Sequence, residues 1–245
     1  MTSGGIRDRF RAQMREEVKD AALRQLAEGG PSALSLNAIA KDLGVSGPAL
    51  YRYFASRDAL LTELVLDAYA DLAEALRAAP TDARAVAVAY RSWALGQPHR
   101  YRLLFAAPLP GYDAHDDRLV AASQRSMDTL LAVLGAAGAQ AATDADGNQA
   151  HVSGVGVGGA PMAAGAGSDE VPSALDLGSG QPMPELAEQF TVWAAKRGIA
   201  PVDPAVALRA VALWSRVHGF VSLEIEGNFA SMSLDPELLF RNVLG

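Results

Sequence analysis

From Ser46 to Arg57 the chain carries two serines, two tyrosines and two arginines, every one able to donate a hydrogen bond to an anionic oxygen. Tyr51 and Tyr53 offer phenol hydroxyls to phosphate oxygens while their rings pack on a sugar–phosphate backbone. The structural alternative, a tyrosine that only covers the core, is weighed more heavily for Tyr51 than for Tyr53. Arg52 is the one long donor within its short helix, suited to a guanine edge or a flanking phosphate, or else simply solvated. Arg57 stands where the next helix begins, so a helix N-terminus and a cation could hold one phosphate together. Ser46 either caps the helix that follows it or faces a phosphate. Just upstream, Ser35 is placed to cap a helix, and Asn37 near that helix start can reach a base or a phosphate.

These side chains need two short helices held at an angle, and residues 35–57, SLNAIAKDLGVSGPALYRYFASR, supply the pattern. Ile39, Ala40 and Leu43 form one apolar face; Leu50 and Phe54 form another, one turn apart. Gly44 follows the first helix where a left-handed residue closes a helix end, and Val45 packs back on the core. Pro48 falls in the first turn of the second helix, where a missing N–H costs nothing. Helix, tight glycine turn and helix make a helix-turn-helix, whose second helix can lie in the major groove of DNA.

The remaining chain reads as helix throughout. A first helix covers 6–28, with Phe10, Met14, Val18, Ala21, Ala22 and Leu26 on one stripe, stopped by Gly29-Gly30-Pro31. The helix-turn-helix pair spans 36–43 and 47–53. Further helices are expected from Ser56-Arg57-Asp58 to about 78, at 82–95, 99–106, 116–137, 184–197, 204–226 and 236–244. Residues 138–180 lose periodicity and aromatics and fill with Gly, Ala, Ser and Asp. They are expected to form a flexible loop, because so little apolar area cannot offset the entropy of ordering. No segment alternates with period two, so the fold class is all-α.

Composition narrows the function classes. Of a net charge of −7, residues 1–60 hold about +2, with Arg7, Arg9, Arg11 and Arg15 facing Asp8 alone at the extreme N-terminus. A basic module on an acidic body fits phosphate attraction confined to one end. Arg7, Arg9 and Arg11 either trail along a DNA backbone or minor groove or are merely solvated. No cysteine is present, which excludes a disulfide, a thiol nucleophile and a Cys-ligated zinc. The four histidines show no metal-ligand spacing, so no metal and no cofactor is expected. Gly154-Val-Gly156-Val-Gly-Gly159 matches GxGxxG but follows no strand and opens no capped helix, so it is set aside. No catalytic constellation is found. No apolar run approaches membrane-spanning length and no hydrophobic leader opens the chain; a cytoplasmic protein is expected.

The run IAKDLGVSGPALYRYFASRDALL, after a helix ended by Gly-Gly-Pro, resembles the DNA-binding domain of TetR-type transcriptional regulators. Ile39-Ala40, Gly44-Val45-Ser46, Leu50-Tyr51, Phe54, Ser56-Arg57 and Leu60-Leu61 carry the resemblance, over roughly residues 6–65. Trp214-Ser-Arg-Val-His218-Gly219 resembles a Trp-x-x-x-His-Gly signature of one regulatory-domain subgroup. The resemblance implies a homodimer with a DNA-binding domain at 1–57 and a helical regulatory and dimerisation domain at 58–245. It also implies repression relieved by a small molecule of unknown identity. Gly47, Pro48 and Ala49 fall where relatives meet base edges; none donates a hydrogen bond, though Pro48 and Ala49 can press on thymine methyls. Tyr53 departs from the His frequent at its position, and Arg57 from the usual Lys.

In the body, Trp93, Tyr101, Phe105, Met127, Trp214 and His218 are the candidate walls of an apolar ligand pocket, each with ordinary core as its alternative. Helix 204–226 is apolar nearly all round in its first half. That calls for burial on more than one face, and with 236–244 it suits a four-helix dimer interface, an intramolecular core being the rival. The competing overall reading is a helical ligand-binding or structural dimer whose motif no longer binds DNA.

Overall fold

Leu26 is the last apolar residue of the first helix to be buried, and two glycines and a proline turn the chain three residues later. In the computed structural model α1 runs Ser3–Gly29, with Val18, Ala21, Ala22 and Leu26 on its buried stripe. Gly29 comes so close to the following 3-10 turn, Pro31–Ala33, that a Cβ there would lie 2.6 Å from the Ala33 Cβ. The structure describes residues 3–80, 82–105, 112–113, 116–125, 127–133, 181–198 and 201–244. The expected loop at 138–180, with the GxGxxG run inside it, lies outside the described residues, as do His115, Leu134 and His151.

Ten further helices follow among the described residues: α2 Leu36–Asp42, α3 Gly47–Leu50, α4 Arg57–Arg77, α5 Ala83–Gly96, α6 Pro98–Phe105, α7 over 117–125 and 127–133, α8 Pro184–Lys196, α9 Pro204–Ile225, α10 Asn228–Ser231 and α11 Pro236–Leu244. No strand occurs among the described residues, and the all-α expectation stands. Most boundaries fall within a residue or two of those expected; α10 is additional, a single turn with no period to read. The helix expected at 47–53 is shorter. After Leu50 the bonds tighten to i→i+3, Arg52 N to Ala49 O and Tyr53 N to Leu50 O, so its last residues form turns.

The chain forms two compact units, one of residues 1–75 with 92–126, the other of 76–91 with 127–245. The core of the first is Val18, Ala22, Leu26, Ile39, Leu50, Phe54, Leu60, Leu61 and Leu64 with their neighbours, all from α1 to α4. The second is built on α9, which buries Ala207, Ala210, Leu213, Val217, Phe220 and Val221. Phe229 of α10 and Phe240 of α11 close on Phe220, with ring centroids at 4.8 and 5.3 Å. One stripe assignment fails: Phe10, expected on the buried side of α1, is exposed, because the core does not reach that far along the helix.

Candidate nucleic-acid interface

Two helix ends set the angle of the helix-turn-helix. Ser35 accepts the Ala38 N–H on its hydroxyl at 3.3 Å and gives its own N–H to Gln25, fixing the start of α2 to α1. At the other end Gly44 takes φ 67°, and Val45 N donates to Ala40 O at 2.9 Å while Gly44 N donates to Lys41 O at 3.2 Å. That is the Schellman pattern, which satisfies two orphan carbonyls and turns the chain sharply into α3. Leu50 and Phe54 are fully buried beneath, so α3 is pinned by one face only.

The opposite face is open. Asn37, Ser46, Pro48, Tyr51 and Arg52 are exposed; Gly47, Ala49 and Tyr53 are partly covered. Ser46 occupies the N-cap position of α3 but makes no side-chain cap bond, so the capping alternative is not realised and its hydroxyl faces outward. Asn37 Oδ1 lies 3.6 Å from where a Gly47 Cβ would stand, which brings the α2 carboxamide beside the start of α3.

The two tyrosines reverse the weighting expected of them. Tyr53 packs against the core, and its carbonyl accepts from Arg15 at 2.6 Å. Tyr51 is 47% exposed. The cause is the early end of α3: the turn after Leu50 rotates residue 53 back over the core.

Arg57 is the second surprise. Its Nη2 donates to Pro31 O at 2.6 Å and its Nε to Leu34 O at 3.2 Å, across the turn between α1 and α2. Ser56, not Arg57, finishes the start of α4, accepting the Ala59 N–H at 3.0 Å. A phosphate at Arg57 would have to share it with two carbonyls that otherwise lack that donor. Arg15 is likewise engaged, paired with Glu63 and stacked 4.4 Å over Phe54. Lys19 meets Asp67 at 2.8 Å and Glu16 at 3.1 Å. Burial alone would lower its pKa, and those carboxylates more than offset this, holding it above the usual lysine value. Arg52 makes no hydrogen bond or ion pair with any described residue.

The aromatic residues proposed for a pocket fall in both units. In the first, Trp93 and Tyr101 are buried and Phe105 lies 5.0 Å from Tyr101, ring to ring. In the second, Met127 is half-buried, and Trp214 stacks on His218 at 5.5 Å. His218 Nδ1 is 2.9 Å from the Tyr90 hydroxyl, and burial holds the imidazole below its usual pKa. Trp214 and Tyr90 line an apolar cavity with Leu76, Val86, Leu130, Leu213 and Val217, of about 10 Å³, room for one water. Of the six residues expected to form a pocket, Trp214 alone touches this cavity. Among the described residues no cluster of His, Cys, Asp and Glu could hold a metal, and no helix is long and apolar enough to cross a membrane.

Comparison with known proteins agrees with this geometry. Residues 19–64 match the family described as bacterial regulatory proteins, tetR family, and residues 83–245 match the tetracyclin repressor-like C-terminal domain. HTH-type transcriptional regulators of Mycobacterium bovis (Mb1846) and Mycobacterium tuberculosis (Rv1816) are each 34% identical, over 96% of this chain and 91% of theirs. The crystal structure of SCO4313, described as a regulatory protein, is similar at a TM-score of 0.69 and 34% identity, over 97% of this chain and 96% of that one. A helix-turn-helix with an open cationic face, matched at both ends of the chain, makes this protein a member of the tetR family and a DNA-binding transcriptional regulator.

Proposed function

We propose that the protein is a homodimeric repressor whose two α3 helices enter successive major grooves of a pseudo-palindromic operator, about 34 Å apart. The observation that carries this reading is the outward face of α3 and its two ends, where Ser46, Tyr51 and Arg52 are exposed and their side chains have no partner among the described residues. Tyr51 and Ser46 hold phosphates; Arg52 and Asn37 meet base edges or flanking phosphates; Pro48 and Ala49 touch thymine methyls, and Gly47 lets the backbone approach closely. Direct readout is sparse, so DNA shape carries a large share of the specificity. Tyr53 and Arg57 act mainly by holding α3 in place. DNA binding is assigned to residues 1–57 and regulation and dimerisation to 58–245.

Dimerisation uses α9 and α11. Val211 and Leu223 of α9 and Leu238 and Val243 of α11 are exposed, while α9 buries its opposite face and α11 is held by Phe240. Release is assigned to an uncharged small molecule that acts on the helical body. The cavity beside Trp214 has room for one water, so an effector that enters it must bind an opened form, which is the differential affinity a switch requires. The stack of Trp214 on His218 supports placing the chain in the Trp-x-x-x-His-Gly subgroup. The protein works in the cytoplasm, with its DNA, and has no catalytic role.

Fluorescence anisotropy with the duplex upstream of its own coding sequence, against a random duplex and across a salt series, tests this. Tighter binding to the upstream duplex, weakened several-fold by Tyr51→Phe, is the expected result. Equal affinity for both duplexes would favour a helical ligand-binding dimer with a degenerate motif, the reading that Gly47 and Ala49 keep open.

A further inference from the structure

The first turns of α1 bury nothing. Every residue from Gly5 to Gln13 is exposed, and the first fully buried side chain is Val18. A helical segment without apolar contact to its own core is only marginally stable in water. Yet Ile6 and Phe10, one turn apart, are 64% and 61% exposed, and Arg7 and Arg11 repeat the same spacing beside them. These four residues line an open groove of about 680 Å³ together with Ala49, Arg52 and Tyr53 of the helix-turn-helix.

The groove gathers three guanidiniums, and none of them has a hydrogen bond or ion pair with a described residue. Their neighbours along the chain differ. Arg9 donates to Gly5 O at 3.0 Å, and Arg15 pairs with Glu63. Three like charges converging on one cleft repel each other until an anion enters, and a polyanion that follows the groove satisfies all three. A second copy of this chain would bring the same charges face to face.

We infer that this groove seats one strand of the DNA backbone alongside the major groove that α3 enters. Arg7, Arg11 and Arg52 take phosphates of that strand, and Ile6 and Phe10 lie on its deoxyribose faces. The inference rests on the proposed placement of α3 and extends the footprint along α1. It separates Arg7 and Arg11, which touch DNA, from Arg9 and Arg15, which do not.

The test compares the full-length protein with the double variant Arg7→Gln/Arg11→Gln, which keeps good helix formers at both positions. Binding to the upstream and to a random duplex is measured from 50 to 300 mM salt. The double variant is expected to bind both duplexes more weakly. Its log–log salt slope should flatten by about 0.9 for each phosphate that is no longer neutralised, roughly two per DNA-binding head. Phe10→Ala should weaken binding with the slope intact, and Arg9→Gln should change neither.

A wild-type slope in the double variant overturns the inference, whether or not the protein prefers the upstream duplex. A change in oligomeric state by light scattering with the slope intact overturns it too, and makes the groove a protein–protein interface. Loss of preference for the upstream duplex in the wild type counts against the proposed operator reading alone, since the random duplex still reports binding to phosphates.

Discussion

Arg52 in the first unit and Arg91 in the second carry the same guanidinium, used in opposite ways. Arg91 pairs with Glu224 at 2.7 Å and with Glu237 at 2.5 Å, and lies 4.6 Å over the Phe240 ring, joining α5, α9 and α11. Its hydrogen bond to Glu224 raises its pKa against the opposing effect of burial, and Arg91 in turn holds the Glu237 carboxyl below its usual value. Arg52, on the turn after α3, is exposed and uncommitted. The first unit contains both kinds: Arg15, Lys19 and Arg57 are tied to carboxylates or carbonyls, while Arg7, Arg11 and Arg52 have no such partner among the described residues. A cation's role therefore follows from what stands within reach of its tip, and a count of charge cannot supply it.

Arg91→Ala should give the largest effect. It leaves Glu224 buried without its partner, and breaking a buried pair from one side costs about 3–5 kcal/mol. Urea unfolding followed by tryptophan fluorescence measures it, and a loss under ~1 kcal/mol would place this pair with ordinary surface bridges.

The next contrast lies inside the first unit. Arg57→Ala removes two charged hydrogen bonds to carbonyls and should destabilise by about 1.5–3 kcal/mol with the salt slope of DNA binding preserved. Arg52→Ala should cost less than about 0.5 kcal/mol in stability. It should nonetheless flatten the slope by about 0.9 per DNA-binding head. The opposite pattern in the two variants would exchange their assignments.

The smallest effect is in pH. Burial lowers the pKa of His218 and of His99. Between each lowered value and the ordinary 6.5 the unfolded chain binds more protons than the folded one, so stability falls as pH falls through that window and is level above it. The melting temperature should drop between pH 7 and pH 5, and His218→Gln should reduce the drop. An unchanged drop would leave His99 as its source.

The helices of this fold were legible because their signals are local. Period, caps and glycine stops placed α2, α4, α9 and α11 within a residue or two, and Gly44 and Ser35 perform the end-closing roles their types suggest. The site was legible as a segment and only partly as residues. Tyr53 and Arg57 look like DNA contacts in the sequence, yet one covers the core and the other ties down a turn. Phe10 looks like core, yet lies in the groove beside α3. The pocket residues Trp93 and Tyr101 are buried in the first unit and Met127, Trp214 and His218 belong to the second, a division that aromatic spacing does not encode.

By itself the sequence determined an all-α chain, a helix-turn-helix at 35–57 and a basic N-terminal end, since periodicity, capping and charge depend on neighbours a few residues apart. Tertiary structure alone decided which donors are tied to the chain and which, among the described residues, are not. That depends on carbonyls and carboxylates tens of residues away: Pro31 for Arg57, Glu63 for Arg15, Glu224 for Arg91. A guanidinium's partner is set by distance in space, and only the folded chain puts Arg7, Arg11 and Arg52 around one groove.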